Sequence, residues 1–172
     1  MKYFLKITLF FWIAVSSAQT KLELTPQGFA PLEIKTPNQP IDKLIERSKE
    51  WASYYNGNAD VFNVTKNSLT IETPHENAYY YWNLGVKYYF DIKYSLKIVF
   101  GENQKCTLTF IVKEISIDRV PIKTTVANFF TSEGKLKDDF KDAKPSLEKT
   151  VNKILKSYIN FIAQEDTSSP FR

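Results

Sequence analysis

The chain has 172 residues, of which 43% are hydrophobic, 15% aromatic and 24% charged, and its formal net charge is +4. This length suits one domain with a packed core, and the composition excludes disorder, a collagen-like repeat and a disulfide scaffold. One cysteine and one histidine exclude most metal-site and nucleophile chemistry, because a zinc site needs several nitrogen or sulfur ligands and any triad would have to use that histidine.

The first 18 residues have the layout of a secretory signal peptide. Lys2 and Lys6 give a positive start, residues 7–15 form an apolar stretch, and residues 16–18 (SSA) place small side chains at the cleavage site. We predict cleavage before Gln19 and export to the periplasm or the medium. Nine residues form a helix of only about 14 Å, roughly half of the hydrocarbon core, so this stretch is too short for a membrane anchor.

Removal of this segment takes two lysines away and lowers the formal charge from +4 to +2. A net positive charge this small does not suggest a nucleic acid or an anionic membrane as partner. No later segment has the length of a transmembrane span. We predict one domain over residues 19–165 and a flexible C-terminal tail over residues 166–172.

In the first half of the domain, the sequence predicts three short strands and a helix. Residues 29–35 follow a turn and predict a strand, and residues 40–56 predict a helix. Its inward stripe has the three- and four-residue spacing of one helix face: Ile41, Leu44, Ile45, Ser48, Trp51, Ala52 and Tyr55. Residues 60–66 and 68–73 predict two further strands around a turn at Asn67.

The clearest pattern is an alternation over residues 88–100, where every even position is apolar or aromatic. Period two over 13 residues predicts a strand with one buried face and one wet face, as in an antiparallel sheet. A turn over residues 101–104 leads to a return strand whose inner face begins at Cys106. The alternation then shifts phase, which predicts a β-bulge near Lys113 and Glu114.

The even-position pattern also extends backward to Tyr80. A single strand from residue 80 to residue 100 would be about 70 Å long, whereas a domain of this size is only about 40 Å across. We therefore predict a break at residues 83–85. Continued through that break, the even parity directs Tyr80 and Trp82 toward the core, and the odd positions outward.

Residues 119–144 are polar and lack periodicity, so they predict a long loop with short elements. Residues 145–163 predict a final helix with an apolar stripe. The predicted order is β-α-β-β-β-β-α. The predicted fold class is α+β, with a single antiparallel sheet and two helices on one face. The other face of the sheet is then open to solvent.

Several of these segments resemble a known family. The turn at residues 24–29 (LTPQGF), the helix that carries Trp51 and Tyr55, and the strand start at residues 106–110 (CTLTF) look like small exported proteins of unknown function from bacteroidete bacteria. The resemblance covers residues 22–117. It implies export and a fold like that of the TATA-binding protein, and it supplies no catalytic residues. Fold similarity to a DNA-binding protein does not imply DNA binding.

The residues that could carry chemistry have structural explanations. His75 lies in a turn-like segment (TPHEN) and predicts a solvated loop histidine, while Cys106 shares the inward parity and predicts a buried packing residue. The densest acidic group alternates with lysines and predicts a solvated surface: Glu133, Asp138, Asp139 and Asp142. We expect no catalysis, no metal and no cofactor.

One segment stands out, because residues 79–90 contain seven aromatic side chains. The predicted outward parity places a candidate ligand-binding set on the open face: Tyr79, Tyr81, Tyr89, Lys93 and Lys97. Tyrosine is also common on wet sheet faces for structural reasons, but rigid amphipathic rings suit contact with a partner.

The leading hypothesis is an exported binding module of the cell envelope, whose partner is an envelope protein or a glycan. The alternatives are a hydrolase with an unidentified carboxylate pair and a structural module that assembles through a sheet edge. A pocket with converging carboxylates would favour the first alternative, and long unpaired edge strands the second.

Overall fold

The computed structural model describes residues 21–55, 57 and 59–164. The predicted signal peptide, its cleavage position and the predicted C-terminal tail lie outside these residues. Within them, the elements occur in the following order: β1 (Leu24–Thr25), β2 (Gly28–Phe29), β3 (Leu32–Lys35), α1 (Ile41–Tyr55), β4 (Asp60–Phe62), β5 (Ser68–Asn83), β6 (Val86–Phe100), β7 (Lys105–Ile117), β8 (Val120–Ile122), two short 3-10 helices (Val126–Phe129 and Asp138–Phe140) and α2 (Ala143–Ala163).

The described strands form an antiparallel sheet in the order β3-β7-β6-β5-β4, with β8 paired to β7 and a separate β1-β2 hairpin. The helices α1 and α2 share a core with one face of this sheet, which confirms the predicted α+β class. Of the side chains predicted to face inward, Tyr55 and Tyr88 are 51% and 43% exposed, whereas the following seven are buried: Trp51, Phe90, Ile92, Leu96, Ile98, Leu108 and Phe110.

The two helices contact each other through an aromatic pair. The Trp51 and Tyr158 rings meet edge to face with 5.2 Å between centroids, and the Tyr158 hydroxyl lies 3.0 Å from that of Ser48. Arg47 donates a hydrogen bond to the carbonyl of Phe161 near the end of α2. Among the described residues, no helix has the length and apolar character needed to cross a membrane.

The phase shift in β7 is the predicted bulge. Lys93 of β6 pairs with Glu114, and the next residue, Tyr94, pairs with Val112. Lys113 is therefore the extra residue, and Ile115 returns to the buried face. An insertion of one residue inverts the alternation, as the sequence indicated.

The prediction for β5 was wrong in extent. The chain forms one strand over Ser68–Asn83 instead of ending at residue 73, and β4 ends at Phe62 instead of residue 66. His75 accordingly lies in a strand, half-buried and paired with Ile92, and not in a solvated loop. A bulge follows, where the register shifts between His75 and Tyr79. The sequence TPHEN suggested a turn because its proline and polar residues are common both in turns and at bulges.

The parity predicted for residues 79–82 was also wrong. The break lies at Leu84-Gly85, as predicted, but this two-residue turn pairs Asn83 with Val86. Residues that face each other across such a turn have one odd and one even number, so the buried parity inverts between the strands. Tyr80 pairs with Tyr89 on the open face. Tyr79 and Tyr81 lie on the other face, with the core.

Residues 119–144 contain only short elements, as predicted, but they contribute aromatic side chains to the core. Phe129 and Phe130 are buried, and Phe129 stacks on Phe140 with 4.4 Å between ring centroids. This segment therefore packs beside the outer ends of β5 and β6, where Tyr79 meets Phe129.

Candidate binding site on the aromatic arm

The outer ends of β5 and β6 form a two-stranded projection, residues 79–90, which we call the arm. Within the described chain, β7 pairs with β6 only from Asp91 to Phe100, and β4 pairs with β5 only at residues 70–72. The arm therefore lacks a third strand on either side. A two-stranded ribbon is marginally stable by itself, so the arm depends on its packing against residues 119–144 and α2.

The open face of the arm is an aromatic cluster around one lysine. The Tyr80 and Tyr89 rings form a cross-strand pair with 6.0 Å between centroids. The Lys87 ammonium lies 3.7 Å from the centroid of Tyr80, 5.0 Å from that of Tyr89 and 6.0 Å from that of Trp82. These are cation–π distances, so Lys87 holds the three rings together. Trp82 remains 52% exposed and Tyr89 47% exposed.

The tip of the arm carries an apolar residue in an unfavourable backbone conformation. Leu84 has a φ of +47° and is 97% exposed, and Gly85 follows with a φ of +78°. Asparagine, aspartate and glycine are the usual residues at the first position of such a turn, because a branched apolar side chain gains nothing from the left-handed region. Leucine at this position is therefore not explained by folding.

The opposite face of the arm packs inward. Tyr79 is only 2% exposed and stacks on Phe90 with 4.8 Å between ring centroids. Tyr81 is half-buried and stacks on Tyr88 at 5.5 Å. Burial, together with the neighbouring Tyr81, raises the pKa of Tyr79 above its ordinary value. Tyr79 stays neutral and acts as a core side chain.

The candidate set predicted from the sequence is thus divided by the structure. Tyr79 and Tyr81 lie on the inward face, while Tyr89 lies on the open face of the arm. Lys93 shares that face of β6 but forms an ion pair with Glu72 at 2.6 Å, and this hydrogen bond raises the pKa of Lys93.

Lys97 is exposed and pairs with Thr70. It lies eight residues from Tyr89, about 26 Å along the strand, and so it is not part of the arm.

Sequence reasoning missed three residues of the open-face cluster: Tyr80, Trp82 and Lys87. Leu84-Gly85 was the signal that could have identified them, because a two-residue turn requires the parity to invert.

A cavity of about 510 Å³ lies beneath the inward face of the arm. The arm, β7, β8, the loop after β8 and the second 3-10 helix supply its lining: Tyr79, Tyr81, Trp82, Asn83, Phe90, Ile117, Ile122, Thr124, Asp139 and Phe140. Asp139 was predicted to lie on a solvated surface. It is exposed, but it also borders this cavity.

The two residues with nucleophile or base chemistry lie elsewhere. Cys106 is buried, as predicted, and burial raises the pKa of its thiol to about 12. Burial lowers the pKa of His75, as does the Lys153 ammonium, against the opposing effect of Asp91. Among the described residues, no three histidine, cysteine or carboxylate side chains lie close enough together to hold a metal ion.

Carboxylates also gather at the β5 bulge, but they have structural partners. Glu76 forms an ion pair with Arg119 at 3.1 Å, and the Asp91 carboxylate accepts the backbone N–H of Asn77 at 2.8 Å. Asn77 has a φ of +52°. These contacts hold the bulge in shape.

The fold is similar to that of two solved structures. One is a DUF4468 family protein from Bacteroides ovatus, with 8% sequence identity and a TM-score of 0.56 over 81% of this chain and 88% of that chain. The other is a TBP-like protein from Parabacteroides distasonis, with 12% identity and a TM-score of 0.57 over 80% of this chain and 93% of that chain.

No family model and no curated protein matches the sequence. At these identities the structural likeness shows the fold alone. It confirms the predicted TBP-like α+β fold, and both neighbours come from bacteroidete bacteria, as the resemblance implied.

Proposed function

We propose that the protein is an exported binding module of the bacterial cell envelope, without chemistry of its own, and that the tip and open face of the arm contact its partner. The partner is an envelope protein or a glycan. The observation that carries this proposal is Leu84, a fully exposed leucine at a φ of +47° on the tip of an aromatic ribbon.

The backbone strain and the exposure of Leu84 support a role of this residue in binding and not in folding. A left-handed conformation is costly for a branched residue, and backbone strain in proteins clusters at binding and switch sites. Trp82 and Val86 lie within two residues of Leu84 on either side of the turn, and each is 52% exposed. Clustered exposed apolar side chains of this kind are typical of interaction sites.

The chemistry of the arm suits partner binding. Tryptophan and tyrosine are the residues most enriched at binding hot spots, because their rings supply contact area and lose little conformational entropy. The Lys87 ammonium orders Tyr80, Trp82 and Tyr89 before any partner arrives. A preorganised surface loses less freedom on binding than a mobile one.

The two alternative functions receive less support. A hydrolase needs a free carboxylate pair beside a substrate pocket, whereas Glu76 and Asp91 at the bulge already hold Arg119 and Asn77. Assembly through a sheet edge needs a long exposed edge strand. β4 leaves β5 unpaired beyond residue 72, but α2 covers part of this edge, where the Ser146 hydroxyl accepts the backbone N–H of Tyr80 at 3.2 Å.

The binding proposal is tested with purified protein that starts at Gln19. The partner is isolated by capture from an envelope fraction of the source cells, identified, purified and titrated by calorimetry. The double variant Trp82→Ser/Tyr89→Ser should raise its Kd at least about thirtyfold, because hot-spot aromatics contribute about 2 kcal/mol or more. Tyr54→Ser is the matched control, since Tyr54 is an 80% exposed aromatic residue at the end of α1, outside the arm.

The outcomes separate binding from folding. If the double variant binds the partner as tightly as the wild type, or if Tyr54→Ser weakens binding equally, then the arm is not the contact surface. Denaturation curves of both variants should match the wild type within about 1 kcal/mol, because the replaced rings are half exposed.

Export is proposed on the sequence of residues 1–18 and has its own test. N-terminal sequencing of the protein from fractionated source cells should find Gln19 first, in the periplasm or the medium. Cytoplasmic protein that retains Met1 would show that the segment is not cleaved.

A further inference from the structure

We propose that the cavity beneath the arm binds a small organic cation, a primary or quaternary amine attached to an apolar body. This inference goes beyond partner binding by the open face, because it concerns the inward side of the arm and a small ligand. It depends on the size, the walls and the single charge of the cavity.

The size and the walls suit a small molecule. Ligand pockets in proteins have volumes of roughly 300–1,000 Å³ and mainly apolar and aromatic walls, and this cavity measures about 510 Å³. Tyr79, Tyr81, Phe90 and Phe140 supply aromatic rings. The walls are held by stacking, at 4.8 Å between Tyr79 and Phe90 and at 4.4 Å between Phe140 and Phe129.

The charge selects a cation. Of the described residues that line the cavity, only Asp139 carries a formal charge. None of the ion pairs between described residues includes Asp139, so its carboxylate is not neutralised by a neighbouring lysine or arginine there. Aromatic side chains line the same cavity, and aromatic rings together with a carboxylate recognise ammonium groups in proteins.

The polar groups of the lining fit the same ligand class. Asn83 and Thr124 border the cavity, and their side-chain oxygens can accept hydrogen bonds from an ammonium N–H. A carboxylate or phosphate ligand would meet the like charge of Asp139. The cavity should therefore exclude anions of the same shape.

The test compares three probes of nearly equal size by calorimetric titration of the protein that starts at Gln19. They are phenethyltrimethylammonium, the neutral 3-phenyl-1-propanol and the anion 3-phenylpropionate. We expect saturable binding of the cation with a Kd below about 1 mM, which corresponds to roughly 4 kcal/mol, and at least about tenfold weaker binding of the other two probes. Equal affinity for the neutral probe, or no saturation by the cation, would overturn the proposal.

Variants assign the binding to the cavity. Asp139→Asn keeps the size of the side chain and removes the charge, so the Kd of the cation should rise about tenfold or more. Asp138→Asn is the matched control, because Asp138 belongs to the same 3-10 helix but does not line the cavity. The Kd of the cation for this variant should stay within about twofold of the wild-type value. Equal effects of the two substitutions would contradict the assignment.

A third variant fills the cavity. Thr124→Trp places an indole in the space beneath the arm and should abolish binding of the cation, with an unchanged circular dichroism spectrum as the check on folding. If Thr124→Trp is folded and binds the probe normally, the cation binds elsewhere. Partner capture by the open face is measured separately with Tyr89→Ser, because Tyr89 does not line the cavity, so either proposal can fail without the other.

Discussion

The strands β5 and β6 form both the arm and the rest of their length in the sheet, which we call the body. The inward face of the body is buried, whereas the arm is about half exposed. In the body, the inward side chains of β6 from Ile92 to Phe100 are covered by helices on one face and flanked by β5 and β7. In the arm, Tyr88 and Tyr89 continue the same alternation and both remain more than 40% exposed. The alternation therefore indicates which side chains share a face, and the third layer determines whether that face is buried.

This difference separates stability from binding. The body holds a contiguous core that includes Trp51, Tyr94 and Phe110 with almost no exposure, so substitutions there act on folding. The exposed face and tip of the arm contribute little to that core, so substitutions there should act on recognition. The predictions below test whether the two regions are as independent as this division implies.

Thiol labelling should give the largest contrast. Cys106 is buried, and burial raises the pKa of its thiol to about 12, so labelling at neutral pH requires the body to open. Val86→Cys adds a second thiol on the arm. We expect the arm thiol to react with a maleimide at least about a thousandfold faster than Cys106, since opening a core costs several kcal/mol. Comparable rates would show that the body opens as readily as the arm.

Truncation of apolar side chains should give the next contrast. Leu96 is fully buried in the body, and Leu96→Ala should lower the free energy of unfolding by about 2–5 kcal/mol, as other leucine truncations in cores do. Val86→Ala in the arm should change it by only about 0.5 kcal/mol. Urea denaturation measures both. A loss below about 1 kcal/mol for Leu96→Ala would mean that this face of β6 is not the core.

The sequence predicted the body much better than the arm, for a physical reason. The alternation at residues 88–100 and its shift near Lys113 identify the buried face and the bulge, because a two-sided sheet imposes period two. The inversion of parity across Leu84-Gly85 was missed, although it follows from the length of the turn. Once that turn is recognised, Tyr80, Trp82 and Lys87 become predictable as neighbours of Tyr89.

Other features of the site could not be predicted from the pattern. Asp139 belongs to a segment without periodicity, and its position beside the arm depends on Phe129, which packs against Tyr79 and stacks on Phe140. Such contacts join residues about 50–60 positions apart in the sequence. Tertiary packing decides them, and neither local propensity nor alternation indicates where a polar loop will lie.

The turn of the arm allows a smaller test of the same division. Leu84→Asn replaces a strained leucine by a residue that tolerates left-handed φ, so we expect the free energy of unfolding to rise by about 0.5–1 kcal/mol. Affinity for the proposed partner should fall, because an exposed apolar contact is lost. Denaturation and calorimetry on the same preparation measure the two effects. If stability and affinity both rise, leucine at the tip has no part in binding.

The smallest effect concerns His75, at the boundary between the two regions. Burial and the Lys153 ammonium lower the pKa of His75 below its ordinary value of 6.5, while Asp91 opposes them. The unfolded chain then binds a proton more readily than the folded protein, so this group stabilises the fold above about pH 6.5 and loses that contribution as the pH falls through the lower pKa of the folded state. We expect the urea midpoint to fall between pH 7.5 and 5.5 in the wild type. His75→Gln cannot take up a proton and should show a flatter profile over that window, in which few carboxylates titrate. Identical profiles for the two proteins would mean that the imidazole is as accessible to protons in the folded protein as in the unfolded chain, and that the bulge between body and arm is open to solvent.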